Sequence, residues 1–204
     1  MAGNYEINLP WVTSGTPGKY TGAVFKKTVG AIVTKVPDGQ GKIIYNKGDS
    51  YYEGQWQNGK RWYNGEYSCP EYVYNGEWRR DAPNGQGTMR WKTKGSHTGS
   101  FVNWKREGSG IELSVGGETT HGTWKAGKLH GEFRRYVPDG SYYMGTWDST
   151  TNTGQGSGLC HSGNGSVYEG HMKNKWVRHG RGKLTRPDGT IKIGTWRNGH
   201  FQHT

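Results

Sequence analysis

The chain has 204 residues, a formal net charge of +11 and 36 glycines, but only 27 Leu, Ile, Val and Phe together. So few aliphatic residues at so high a charge would describe a disordered chain, except that 10 Trp and 13 Tyr offer large surfaces to bury. No apolar run reaches the roughly 18 residues of a membrane helix, and residues 1–20 lack the basic start and apolar core of a signal peptide, so an intracellular, cytoplasmic setting is expected.

Taken in chain order, residues 1–38 read as an irregular N-terminal cap, with Tyr20-Thr21-Gly22-Ala23-Val24 as a degenerate copy of a unit repeated further along the chain. From residue 39 that unit, aromatic-x-Gly-x-aromatic, recurs. The clear copies are Tyr52-Glu53-Gly54-Gln55-Trp56, Tyr74-Asn75-Gly76-Glu77-Trp78 and Tyr143-Met144-Gly145-Thr146-Trp147. Looser copies end in Phe101, Trp124, Met172 and Trp196. The central glycines at 54, 76, 99, 122, 145, 170 and 194 are spaced by 22, 23, 23, 23, 25 and 24 residues. Twelve residues before several of them stands another glycine, with a third two residues earlier, as in Gly85 and Gly87, Gly108 and Gly110, or Gly180 and Gly182. Turn formers separate the halves: Pro138-Asp139-Gly140 and Pro187-Asp188-Gly189 on one side, Asn58-Gly59, Ala126-Gly127 and Asn198-Gly199 on the other. Proline presets φ, and Gly and Asn accept positive φ.

Each unit therefore reads as strand, tight turn, strand, tight turn. Side chains alternate along a strand, so Tyr168, Gly170 and Met172 share a face, as do Gly180, Gly182 and Leu184 on the next strand. A glycine flanked by aromatics leaves a hollow that a ring can fill. Trp56, Trp78, Phe101, Trp124, Trp147, Met172 and Trp196 are expected to fall on one stripe. No helical periodicity is present. The fold class is all-β: an elongated array of successive antiparallel β-hairpins, about seven clear repeats plus the cap, over residues 39–199, with 200–204 as a tail.

Residues 52–60, 124–131 and 179–196 resemble the MORN repeat, whose units run Tyr-x-Gly-x-Trp, Asn-Gly-Lys, His-Gly-x-Gly and Asp-Gly. Two departures stand out. Phe133 takes the place of a second glycine, and Gly65 lies only eleven residues before Gly76. The resemblance implies a scaffold, partner-binding groove, dimerisation module or cytoskeletal or ciliary component, with membrane-proximal placement and acidic phospholipid as further options. It implies a protein partner, and a homodimer or larger complex.

These readings give two candidate sites. A groove for a partner peptide or helix is expected along Tyr52, Trp56, Tyr74, Trp78, Phe101, Trp124, Tyr143, Trp147, Tyr168, Met172 and Trp196, because rings give large contact area for little entropy loss. The alternative is an anionic-surface binder for acidic phospholipid or nucleic acid. Residues 171–204 hold Lys173, Lys175, Arg178, Arg181, Lys183, Arg186, Lys192 and Arg197 against Asp188 alone, and such a patch attracts polyanions. Gly54 to Lys60 and Gly122 to Lys128 mimic the spacing of a phosphate loop, but Arg61 and Leu129 follow where a Ser or Thr is needed for Mg²⁺. The eight histidines are scattered without metal-ligand spacing. Cys69 and Cys160 are expected as free thiols, four repeats apart. No catalytic residue, cofactor or metal site is expected.

Overall fold

The computed structural model describes residues 4–45, 47–147, 156–173 and 177–202. Every regular element among them is a β-strand, and within each of the two units successive strands pair antiparallel. The chain divides into two compact units, Met1–Trp104 and Lys105–Thr204.

The first unit is a meander of β1 (Asn4–Thr13), β2 (Thr16–Val29), β3 (Ile32–Tyr45), β4 (Tyr51–Gln57), β5 (Lys60–Ser68), β6 (Tyr72–Arg79), β7 (Ala82–Trp91) and β8 (Gly95–Val102). Its register aligns the glycines: Gly22, Gly41, Gly54, Gly65, Gly76, Gly87 and Gly99 stand opposite one another across β2 to β8. A second row, two residues away on the same face, runs Tyr20, Ile43, Tyr52, Tyr67, Tyr74, Met89 and His97.

The glycine row has a steric cause. The Tyr52 ring lies over Gly54 and Gly65, and its hydroxyl donates to the Gln55 carbonyl at 2.9 Å. Tyr20 and Tyr74 repeat this with the carbonyls of Ala23 (2.7 Å) and Glu77 (3.0 Å). A Cβ at Gly54 would stand 2.7 Å from the Tyr52 hydroxyl, and one at Gly65 closer still. The indole N–H groups complete the pattern: Trp56 donates to the Gly41 carbonyl at 3.1 Å and Trp78 to that of Gly65 at 2.9 Å. The rings then meet edge to face in a continuous chain. Tyr20–Trp56, Trp56–Tyr52, Tyr52–Trp78, Trp78–Tyr74 and Tyr74–Phe101 all have centroids 5.1–5.3 Å apart, the geometry that aromatic quadrupoles prefer.

The segment before residue 39 takes part in this order from β2 onward. Tyr20 and Gly22 hold the same register as the later copies. The long interval from Gly22 to Gly54 arises because β2 and β3 stay paired out to Val29 and Ile32, making strands of 14 residues each.

The second unit comprises β9 (Lys105–Leu113), β10 (Thr119–Lys125), β11 (Lys128–Tyr136), β12 (Tyr142–Trp147), β13 (Gly156–His161), β14 (Val167–Lys173), β15 (Val177–Thr185), β16 (Ile191–Arg197) and β17 (His200–Phe201). At its far end the pattern returns in full. Tyr168 covers Gly170 and Gly182 and donates to the His171 carbonyl at 3.0 Å, and the Trp196 indole donates to Gly182 at 3.3 Å. In β10 the tyrosine position is Thr120, and Phe133 stands opposite Gly122. The departure is compensatory: Phe133 and Leu129 occupy the space over Gly122 that a tyrosine fills elsewhere. Residues 200 and 201, expected in a tail, form β17, and Phe201 packs on Trp196 with centroids 5.1 Å apart.

The hairpin tips carry pairs of residues at positive φ, as two-residue turns matched to strand twist require. Asn58-Gly59, Ala126-Gly127 and Asn198-Gly199 are such pairs, as are Arg80-Asp81 and Asn103-Trp104.

Candidate functional site

Most of the rings expected to line a partner groove form the interior. Tyr52 and Tyr74 are fully buried, and Trp56, Trp78, Phe101, Trp124, Tyr168, Met172 and Trp196 are at most 5 % exposed. Tyr143 and Trp147 are half-buried. Their burial has a simple cause. Rings that alternate Tyr and Trp at this spacing satisfy one another edge to face, and their polar tips find backbone carbonyls, so little ring surface is left for a ligand.

The surface that stays open in the first unit lies beside that interior. A hollow of about 520 Å³ is lined by Thr13, Ser14, Thr16, Pro17, Tyr45, Lys47, Asp49, Ser50, Arg61, Tyr67, Tyr72 and Trp104. Tyr67, Tyr72 and Trp104 form a triad with centroids 5.8–5.9 Å apart. The Trp104 indole also meets Trp78 at 5.4 Å, yet the residue remains 37 % exposed. Its backbone is unusual. Trp104 has φ +68° at the turn position held by Gly59, Gly127 and Gly199 in other hairpins. A bulky residue there is a steric outlier, and the contacts of its ring with this wall hold it in place.

Arg61 forms the inner wall. Its side chain is buried, with Nη2 donating to the Asp81 carbonyl at 2.7 Å and to the Ser14 hydroxyl, Nε near the Asp81 carboxylate and Nη1 near the Tyr45 hydroxyl. The same guanidinium lies over the Trp78 ring at 4.6 Å. Asp81, at φ +71°, is a second non-glycine residue in that turn position among the described residues, and its carboxylate accepts the Arg61 backbone N–H at 2.8 Å. Burial pushes the Tyr72, Tyr67 and Tyr45 hydroxyls above the ordinary phenol value, with Arg61 opposing it. The hollow thus presents neutral O–H groups and ring faces. Burial likewise raises the Cys69 thiol at its margin and that of Cys160 in the second unit; both cysteines are free.

Arg61, Asp81 and Trp104 were not among the expected site residues. A signal for two of them exists in the repeat itself: Arg80-Asp81 and Asn103-Trp104 replace the Asn-Gly turn.

The expected basic patch is divided between two faces. Arg181, Lys183 and Arg197 project from the outer face of β15 and β16, opposite the aromatic interior. Arg178 lies on the inner side, its guanidinium 5.1 Å from the Trp196 ring and 5.5 Å from Tyr168, and Lys192 lies over Phe201 at 5.5 Å. Arg178 therefore plays the part that Arg61 plays in the first unit. Lys173 ends β14, Arg186 sits at an exposed turn, and Lys175 lies outside the described residues. Among the described residues no three His, Cys, Asp or Glu side chains converge as a metal site would need.

A ladder of hairpins with aligned glycines, several of them covered by an aromatic side chain, defines a β-repeat protein. The pattern of the MORN repeat matches residues 35–50, 52–72, 74–96, 121–132 and 168–191, so the chain carries MORN repeats at five places. No curated protein matches it. Among solved structures, the TCP domain of SAS-4 (dCPAP) of Drosophila melanogaster, in complex with a proline-rich motif of Ana2 (dSTIL), is similar at 15 % identity. The match covers 85 % of this chain and 90 % of that one, with a TM-score of 0.45. A mutant of the TCP10 domain of Danio rerio CPAP is similar at 14 % identity over 92 % and 99 % of the two chains, with a TM-score of 0.24.

Proposed function

We propose that this chain is a non-enzymatic protein-binding scaffold that holds an extended partner peptide in the aromatic hollow of its first unit. The observation that carries the reading is Trp104, kept at φ +68° where Gly59, Gly127 and Gly199 stand in other hairpins, with its indole folded over Tyr67 and Tyr72. Backbone strain concentrates where a side chain must be presented in one direction. The hollow has the size of a ligand site, and its mixture of ring faces and neutral hydroxyls suits a peptide. The buried rings Tyr52, Trp56, Tyr74 and Trp78 would act behind it, as the rigid wall. The remaining predicted rings would support later hairpins in the same way.

The alternative reading, an anionic-surface binder, keeps exposed Arg181 and Arg197 and half-buried Lys183 on one face.

The test uses Trp104→Gly, which returns the turn to the residue found in its equivalents. Displayed peptides are selected on the full chain and their affinities measured on both forms. A loss of at least tenfold on Trp104→Gly, with thermal unfolding retained, is expected. Peptides that bind both forms equally would overturn the reading.

A further inference from the structure

We propose that the outer face of the second unit is a separate docking surface, for an acidic amphipathic helix of a partner protein. The two units treat this face differently. In the first, the row beside the glycines is polar and internally paired: Lys42 bonds Glu53 at 2.9 Å, Asn75 bonds Glu66 at 3.2 Å, and the Thr88 and Thr98 hydroxyls meet at 3.0 Å. In the second unit the same row has Ile111 at one end, Met144 and Leu159 opposite one another in the middle, and Ile193 at the other end. Ile193 is 72 % exposed. A parallel row lies two residues away and carries Leu113, Tyr136, Tyr142, Val167 and Ile191, with Thr119, His161 and Thr185 between them. Side chains two apart on a strand are separated by roughly 6.6 Å, so the two rows bound a furrow.

Two hollows lie along this face. One, of about 620 Å³, has Met144 and Leu159 in its wall with His121, Arg134 and Glu132. The other, of about 490 Å³, has Ile193 with Arg181, Lys183, His171 and Glu169. Apolar surface and basic groups therefore alternate along one line, crossing β10 to β16. Neighbouring strands stand ~4.8 Å apart and a helix turn advances ~5.4 Å, so a helix laid across the strands offers about one side chain per strand. Seven strands span about 29 Å, or roughly 19 helical residues.

Charge selects the occupant. Arg134, Arg181, Lys183 and Arg197 project from this face against Glu132 and Glu169. A second copy would set these cations against themselves, whereas a helix with a leucine stripe and acidic flanks complements both features. A nucleic acid would place its phosphates against Met144, Leu159 and Ile193, and a flat membrane surface would leave the hollows unfilled.

The probe is a fluorescent helical peptide of about 20 residues, with leucines at i, i+3 and i+4 spacing and glutamates elsewhere, titrated into the full chain. It should bind, and the same peptide with lysine for glutamate should not. Met144→Glu and Ile193→Glu should each weaken binding at least tenfold, and Trp104→Gly should leave it unchanged. Ile193 is so exposed that its substitution keeps the test valid if Met144→Glu fails to fold. Failure of the acidic peptide to bind, or equal binding by Ile193→Glu, would overturn the proposal. So would phosphatidylserine vesicles or duplex DNA binding with the same sensitivity to these substitutions while the peptide does not.

Discussion

The smallest unit of this architecture is a tyrosine with two glycines. Tyr52 can lie flat over Gly54 and Gly65 only because neither has a Cβ, and its hydroxyl then reaches the Gln55 carbonyl. Neither glycine has a positive φ, so the requirement is one of space. Gly65→Ala should therefore destabilise the first unit by about 2–3 kcal/mol, in the range of overpacked cores. Tyr52→Phe, which keeps the ring and loses one hydrogen bond, should cost about 1 kcal/mol. Urea unfolding measures both, and equal losses would show that the hydroxyl and not the clearance governs the site.

At the scale of the hairpin, the residue paired with the last position of each repeated unit decides how the rings are finished. Arg61 stands opposite Trp56 and Arg178 opposite Met172, and each guanidinium lies on the aromatic interior. Arg106 does the same against Trp124 at 5.9 Å while one of its nitrogens bonds the Gly127 carbonyl at 2.6 Å. Arg61→Ala leaves the Asp81 carboxylate without its charged partner and should destabilise by about 3 kcal/mol, the lower end for a broken buried pair. Trp104→Gly should act oppositely on the backbone, relieving about 1 kcal/mol of left-handed strain while removing ring contacts. Its melting temperature should therefore shift far less than that of Arg61→Ala. A larger loss for Trp104→Gly would mean that the indole serves packing rather than binding.

At the scale of the whole molecule, phenols take the place that aliphatic side chains have in most cores, and this gives the fold an alkaline limit. Burial pushes the Tyr52, Tyr74 and Tyr72 hydroxyls well above the ordinary phenol value. Because the folded-state values are raised, the neutral phenols contribute stability that is fully present below a pH of about 10. That contribution is lost as pH rises from there through the raised folded-state values. Alkaline titration should show phenolate absorbance from these residues appearing together with loss of near-ultraviolet circular dichroism. Ionisation of all tyrosines near the ordinary phenol value with the fold intact would contradict the packing described here.

The sequence by itself determined the hairpins, their period and the face on which each ring lies. Those follow from strand alternation and turn chemistry, which are local: Asn58-Gly59 dictates a turn wherever the rest of the chain goes, and Tyr74, Gly76 and Trp78 share a side by period alone. Even the exchange at Phe133 was visible as a broken glycine position. Only the tertiary structure decided what covers that face. Alternation says that Trp78 points the same way as Tyr52, but its burial depends on Tyr52 and Tyr67 closing on it from two other strands. The same holds for the charges. Arg178 and Arg181 are close in the chain, yet a bulge in the β14–β15 ladder and the alternation of β15 send one onto the rings and the other into solvent. Exposure is a property of neighbours brought together from distant segments, and no local pattern contains it.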